Sequence, residues 1–266
     1  MTQRLLTLGL ALMSLVLVNC SSSGSGSNSG SAGSGNNNSS TSTPGQAQGV
    51  YTGNTSTGLT FDAIVLPNDE FYALYGNLSG DILYICGLAT GQGASSSGKY
   101  SASENDFDYC GGSLAFYSGS VTATYAPGSS ISGSISETGK SESFTGTAPA
   151  TSLFNYNAPA SLASISGSWT GSLTDGESAS VTIGSSGSAA GTSSSGCSFS
   201  ARITPDSSNK NFFDITLTFG SAPCELPNQS ASGIGVDYLL SDGVTTQLLA
   251  AVSSGSSSGI VFAAQR

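Results

Sequence analysis

Residues 197–203 read CSFSARI and residues 212–219 read FFDITLTF, and these two stretches decide the class of fold. In the first, Cys197, Phe199, Ala201 and Ile203 alternate with Ser198, Ser200 and Arg202. In the second, Phe213, Ile215, Leu217 and Phe219 stand opposite Phe212, Asp214, Thr216 and Thr218. A period of two puts one set on a buried face and the other in solvent, as in a half-buried antiparallel strand. Similar runs follow at Gly235–Leu240, Thr246–Val252 and Ile260–Ala264, parted by Ser-Asp-Gly and Ser-Ser-Gly turns. No stretch here keeps a helical period. About eight short strands in roughly 100 residues imply a meander closing into a small barrel or sandwich.

The same pattern occurs twice. Gly49-Val50-Tyr51-Thr52-Gly53 matches Gly167-Ser168-Trp169-Thr170-Gly171 at an offset of 118, and that offset also sets Phe61 on Ala179, so the next strands (LTFDAIVLP and SASVTIG) fall in step. A shared register over two strands points to duplication. The expectation is an all-β chain of two tandem antiparallel β-barrel or sandwich domains, each of about eight short strands. They occupy residues 49–150 and 167–266, joined by a connector over 151–166 around Tyr156-Asn157-Ala158-Pro159-Ala160. In the first half, FYALY (71–75) and ILYIC (82–86) are apolar on both faces, and eight of the ten tyrosines lie between Tyr51 and Tyr125. Either these strands are covered on both sides, the second cover being the other domain, or they present an aromatic patch to a partner.

Upstream of both halves the chain reads as an address. Arg4 precedes an apolar run from Leu5 to Val18, and Cys20 follows. As a helix that run is about 21 Å long, too short for a ~30 Å hydrocarbon core, and it has the form of a secretory signal. Leu17-Val18-Asn19-Cys20 resembles a bacterial lipobox, with Asn19 where that motif usually carries Gly, Ala or Ser. The resemblance implies a signal peptide over 1–19, diacylation of Cys20 and attachment to a membrane; Ser21 after the cysteine implies sorting to the outer membrane. Two or three acyl chains, at about 0.8 kcal/mol per buried CH₂, hold far better than one. Residues 21–48 (SSSGSGSNSGSAGSGNNNSSTSTPGQAQ) carry no charge and no aromatic ring. Such a segment cannot offset its ordering entropy and is expected to be a disordered tether spanning about 30 Å.

Four cysteines remain after Cys20, and three pairings are open in principle. Cys86 with Cys110 and Cys197 with Cys224, one bridge per half, is the economical choice in an exported protein. Each would close a loop of about 25 residues and contribute ~3 kcal/mol on the chain-entropy model.

Composition excludes several chemistries. The chain of 266 residues has no His, six Lys+Arg and sixteen Asp+Glu, for a net charge of −10. Without His there is no Ser-His-Asp triad, no Cys-His pair and no His-based zinc site. An acidic chain with six cations has no basic stripe for nucleic acid. Paired-carboxylate catalysis could draw on Asp69-Glu70, which reads as a solvated hairpin turn, or on Asp106 and Asp108, which share a face opposite Phe107 and Tyr109 and read as solvent-facing, with at most a weak calcium site. A nucleophilic serine would have only Lys99, Lys140 or Lys210 for its base. The expectation is no enzyme, no cofactor and no metal.

Gly167-Ser168-Trp169 resembles the G-x-W that opens the first strand of lipocalins, whose Trp closes one barrel end under an Arg from the last strand. That resemblance implies Arg266 over Trp169; Gly49-Val50-Tyr51 has no Arg to match. The whole plan (lipobox, low-complexity tether, two β domains with an aromatic first strand) resembles Gram-negative surface lipoproteins such as transferrin-binding and complement-factor-binding lipoproteins. The resemblance is one of plan and carries over neither a ligand nor a binding residue. The absence of catalytic residues and the long tether lead to the expectation of a lipid-anchored, non-enzymatic binding module at the outer membrane, whose partner is a protein or a small apolar ligand. Two alternatives stand beside it. One is a lipocalin-like periplasmic carrier, which a cavity lined by Phe199, Phe213, Phe219 and Phe262 would favour. The other is an inhibitor of an envelope or host enzyme.

Overall fold

The computed structural model describes residues 46–79, 82–151, 154–240, 242–255 and 258–266. The signal segment, Cys20 and the tether up to residue 45 lie outside the described residues.

The first barrel runs β1 (Gly49–Thr55), β2 (Thr60–Val65), β3 (Glu70–Ser79), β4 (Ile82–Ser96), β5 (Lys99–Asp108), β6 (Ala115–Ala126), β7 (Ser130–Glu137) and β8 (Lys140–Thr147). Each strand pairs antiparallel with the next, and β1 pairs with β8 to close the sheet. A short helix, α1 (Leu162–Ile165), leads into the second barrel. That barrel comprises β9 (Gly167–Leu173), β10 (Ser178–Ile183), β11 (Ser188–Ser193), β12 (Ser198–Pro205), β13 (Phe213–Phe219), β14 (Ser230–Leu239), β15 (Thr246–Ser254) and β16 (Ser258–Gln265), with β16 closing on β9. Closure pairs every edge, so neither sheet presents an open template for another chain. The chain is therefore all-β, with two eight-stranded barrels in tandem. Among the described residues no helix is long and apolar enough to cross a membrane.

The duplication is built into the pairing. In the first barrel Gly53 pairs with Phe61 and Phe61 with Tyr75; in the second Gly171 pairs with Ala179 and Ala179 with Ser193. Each member of the second set stands 118 positions after its counterpart. The barrel ends repeat as well. The Tyr51 hydroxyl donates to the Ala47 carbonyl at 2.8 Å, and the Trp169 indole N–H donates to the Ile165 carbonyl at 2.7 Å, both across four residues and both fully buried. Ala47, near the expected end of the tether, is itself 0% exposed. Gly49 and Gly167 open the two first strands with φ of +151° and +118°, a conformation that side chains rarely adopt.

The barrels pack on each other through a shared apolar core. Ile64, Tyr72, Leu74, Leu88, Phe107 and Tyr109 meet Phe212, Ile234, Leu249, Ala251, Val261 and Ala263. Tyr109 donates to the Gly259 carbonyl at 3.0 Å. This explains the strands that are apolar on both faces: Phe71 and Tyr75 pack inside the first barrel, while Tyr72 and Leu74 join the shared core. The aromatic richness of the first half is mostly interior. Phe116 and Tyr117, at 39% and 38% exposure, are its surface exceptions.

Candidate ligand cavities

The two barrels share a plan and differ in how they are filled. Inward positions in the first barrel include Phe61, Phe71 and Tyr75, and the equivalent positions in the second are Ala179, Ala189 and Ser193. Three rings are thus replaced by small side chains on the same strands. The remaining space inside the first barrel is about 100 Å³, and inside the second about 380 Å³. A void this large loses packing on its lining and persists only where the surrounding sheet cannot collapse into it, as in a closed barrel.

The larger cavity is lined by Phe199, Phe213, Phe219 and Phe262, with Ile203, Ile215, Leu217 and Ile260. Phe199, Phe219 and Phe262 point inward yet are only partly buried, because they border empty space. One end is closed by Ile165 and Ile183 beneath Trp169. The Arg266 guanidinium lies 4.1 Å from the Trp169 ring centroid and donates to the carbonyls of Ser166 and Ser164, each at 2.6 Å. The other end opens among Asp175, Glu177, Ser195, Pro223 and Glu225. Partial burial pushes the Asp175 carboxyl up, whereas hydrogen bonds from Ser193 and Ser195 hold that of Glu177 down. Among the described residues no Lys or Arg stands in the lining, so these offer no counter-ion for an anionic ligand.

The smaller cavity has the opposite chemistry. Glu104, Asp106, Asp108, Glu137 and Glu142 line it together with a single cation, Lys140. Lys140 Nζ lies 3.5 Å from Glu137 Oε2 and 4.9 Å from the Tyr117 ring centroid. The Tyr75 hydroxyl donates to Asp106 Oδ1 at 2.5 Å. Burial, with the carboxylates of Glu137, Asp106 and Glu142 nearby, pushes Glu104 up to about 8. Burial likewise pushes Asp106 up to about 7, against the hydrogen bond from Tyr75.

No protein-family model matches this chain, and neither does any curated protein. Among solved structures it is similar to isotype 1 transferrin-binding protein B from serogroup B Neisseria meningitidis, at 11% identity and a TM-score of 0.26. The match covers 78% of this chain and 65% of that one, so the chain spans less than two thirds of that structure.

The placement of the candidate residues follows from these barrels. Cys86 is bonded to Cys110 (S–S 2.01 Å), tying β4 to the end of β5; Cys197 is bonded to Cys224 (S–S 2.04 Å) beside the mouth of the larger cavity. Asp69 sits in the β2–β3 turn, where its carboxylate accepts from Ser95 N at 2.9 Å and Ser95 Oγ at 2.6 Å. Asp106 and Asp108 require a correction. They do lie opposite Phe107 and Tyr109, but their face is the barrel interior, and Asp106 is only 4% exposed. Phe107 and Tyr109 are the outer face, covered by the second barrel. Alternation assigns two faces to a strand; it cannot say which is inside when both are buried.

Two Ser-x-x-Lys spacings, Ser96 to Lys99 and Ser207 to Lys210, fall at turns. Ser96 and Lys99 pair at the β4–β5 hairpin end, and the Lys210 ammonium donates to Asn157 Oδ1 at 2.7 Å. Among the described residues no hydrogen bond joins either lysine's ammonium to its serine hydroxyl, as a base would require. Among the described residues no group of three Cys, Asp or Glu side chains converges as a metal site. Glu104, Glu137 and Glu142 were not singled out from the sequence, although Tyr100, Ala102, Glu104, Asp106 and Asp108 share one parity along β5, which was the available signal.

Proposed function

We propose that this protein is a non-enzymatic binding protein of the cell envelope, held to the outer membrane through a lipidated Cys20, and that its second barrel takes a small, neutral, apolar ligand. The observation that carries the reading is the cavity of about 380 Å³ inside that barrel, lined by Phe199, Phe213, Phe219 and Phe262. Pockets of this kind hold ligands by burying most of their surface against apolar walls. The acidic mouth formed by Asp175, Glu177 and Glu225 repels carboxylates, and among the described residues the interior lacks a cation to receive one. The folded units, residues 49–150 and 167–266, stand at the end of the tether, and the disulfide Cys197–Cys224 braces the mouth.

The test is fluorescence titration of the purified protein with N-phenyl-1-naphthylamine, a neutral apolar probe. Saturable enhancement is expected, displaced by neutral lipids and not by fatty-acid anions. No saturable binding would remove the carrier reading and leave the alternative of a surface that captures a protein partner.

A further inference from the structure

We propose that the first barrel is a second, chemically distinct binding site, for a small organic cation: an ammonium group on a short hydrocarbon body. The site lies where the β7–β8 hairpin and the ends of β5 and β1 meet, in the cavity of about 100 Å³. Its wall divides by chemistry. Phe61, Tyr75 and Phe144 supply ring faces and edges, and Glu104, Asp106, Asp108, Glu137 and Glu142 supply carboxylates. Lys140 is the single cation set against them.

Two carboxylate oxygens within this cavity are buried without a hydrogen-bond donor from the protein. Glu104 is 3% exposed, and its Oε2 has no hydrogen-bond partner. Glu137 has a side chain 4% exposed, and its Oε2 faces Lys140 at 3.5 Å without hydrogen-bond geometry. Buried carboxylate oxygens without donors are costly and uncommon in folded proteins. Burial and the neighbouring carboxylates meet part of that cost by holding protons on Glu104 and Asp106. An ammonium donor entering the cavity would meet it directly, through charge-assisted hydrogen bonds.

The same geometry selects the kind of cation. No three carboxylates converge at ligating positions among the described residues, which disfavours a bare divalent ion. Aromatic faces attract ammonium groups and accommodate their hydrocarbon. The entry route is visible: the Lys140 side chain is 46% exposed although it lines the cavity, and Glu142 at the rim accepts from Thr57 Oγ1 at 2.7 Å. Lys140 is then an internal competitor, an ammonium already resting at the mouth.

The experiment is calorimetric titration of the purified full-length protein at mildly alkaline pH with n-butylammonium chloride, 1-butanol and calcium chloride in turn. Butylammonium is expected to bind about tenfold more tightly than butanol, and calcium not at all. Glu104→Gln should weaken butylammonium by about tenfold while leaving butanol unchanged. Lys140→Met, at a half-exposed position, should tighten butylammonium several-fold, about one unit of opposing charge having been removed. Equal binding of butanol and butylammonium would overturn the proposal, as would calcium binding in preference to both. Butylammonium binding that is absent, or unmoved by Lys140→Met, would also overturn it. None of these results depends on the naphthylamine titration, so the two barrels are tested separately.

Discussion

Ala179 occupies in the second barrel the place that Phe61 occupies in the first: each pairs with a glycine of the first strand, and each points inward. The Phe61 ring is packed edge-on against Phe144 at 5.9 Å, whereas the methyl of Ala179 borders the large cavity. Opposite outcomes should follow from exchanging them. Phe61→Ala removes a filled position and should destabilise by about 3–5 kcal/mol. Ala179→Phe enters existing space and should leave stability within about 1 kcal/mol of the parent or raise it, while abolishing naphthylamine binding. Thermal midpoints and the titration together check this; a steep loss of stability in Ala179→Phe would mean that the void is not available to a ring.

Gly259 and Phe107 fix how closely the barrels approach. A Cβ at Gly259 would lie 2.4 Å from the Phe107 ring, which is itself 0% exposed and has nowhere to retreat. Gly259→Ala is therefore expected to cost roughly 1–3 kcal/mol by overpacking. Trp169 is the single tryptophan and reports on the second barrel, while eight of the ten tyrosines lie in the first half. Denaturation followed by tryptophan and by tyrosine emission should give one coincident transition in the parent and two separated transitions in Gly259→Ala. Separate transitions in the parent would show that the shared core does not couple the barrels.

How much of this was legible in the sequence depends on the strand. Cys197 to Ile203 and Phe213 to Phe219 have one wet face, so alternation alone assigned both their strand character and their inward side. β5 has a wet face at Ser101 and Ser103, so the parity of Tyr100, Ala102 and Glu104 already carries to Asp106; only toward Phe107 are both faces covered, and there the outer cover is the second barrel. The cavity is a third case. The offset of 118 already aligned Phe61 with Ala179, but a void is a sum over many side chains, and its size emerges only when Ala189 and Ser193 are added to the same wall.

Arg266, directly after β16, ties that strand to the start of the second barrel, lying over Trp169 and donating to the carbonyls of Ser164 and Ser166. Arg266→Met retains much of the packing and loses the charge and the fork of donors. It should destabilise by about 1–2 kcal/mol and shift Trp169 emission to longer wavelength. Arg266→Lys should recover little, because an ammonium cannot serve both carbonyls while lying flat on the indole. Full recovery by Lys would reduce the contact to simple charge.

Cys20→Ser removes the thiol that the lipobox-like stretch would acylate. The variant is expected in the soluble fraction after cell breakage, with the parent in the membrane fraction, since acyl chains contribute about 0.8 kcal/mol per buried CH₂. Membrane recovery of the variant would exclude the lipid anchor. Non-reducing peptide maps of the released protein should contain the Cys86–Cys110 and Cys197–Cys224 pairs.

Stability should fall as pH rises. Glu104 and Asp106 are pushed up to about 8 and about 7 in the fold, from ordinary values of 4.5 and 3.8. Between those limits the folded chain holds protons that the unfolded chain has released, so the slope of unfolding free energy against pH is negative. The stabilisation is complete below the unfolded values and lost as pH passes through 7 to 8. The groups facing these two reinforce the trend or oppose it in known directions: Glu137, Glu142 and Asp108 raise, while Lys140 and the Tyr75 hydroxyl lower. With no His in the chain, no other side-chain type ordinarily titrates in that window. Glu104→Gln should flatten the upper part of the slope in urea titrations taken across the range. Butylammonium, if it pairs with the ionised carboxylates, should restore stability most where the parent has lost it, at the alkaline end. A slope that persists unchanged in Glu104→Gln and Asp106→Asn would place the titrating groups elsewhere in the molecule.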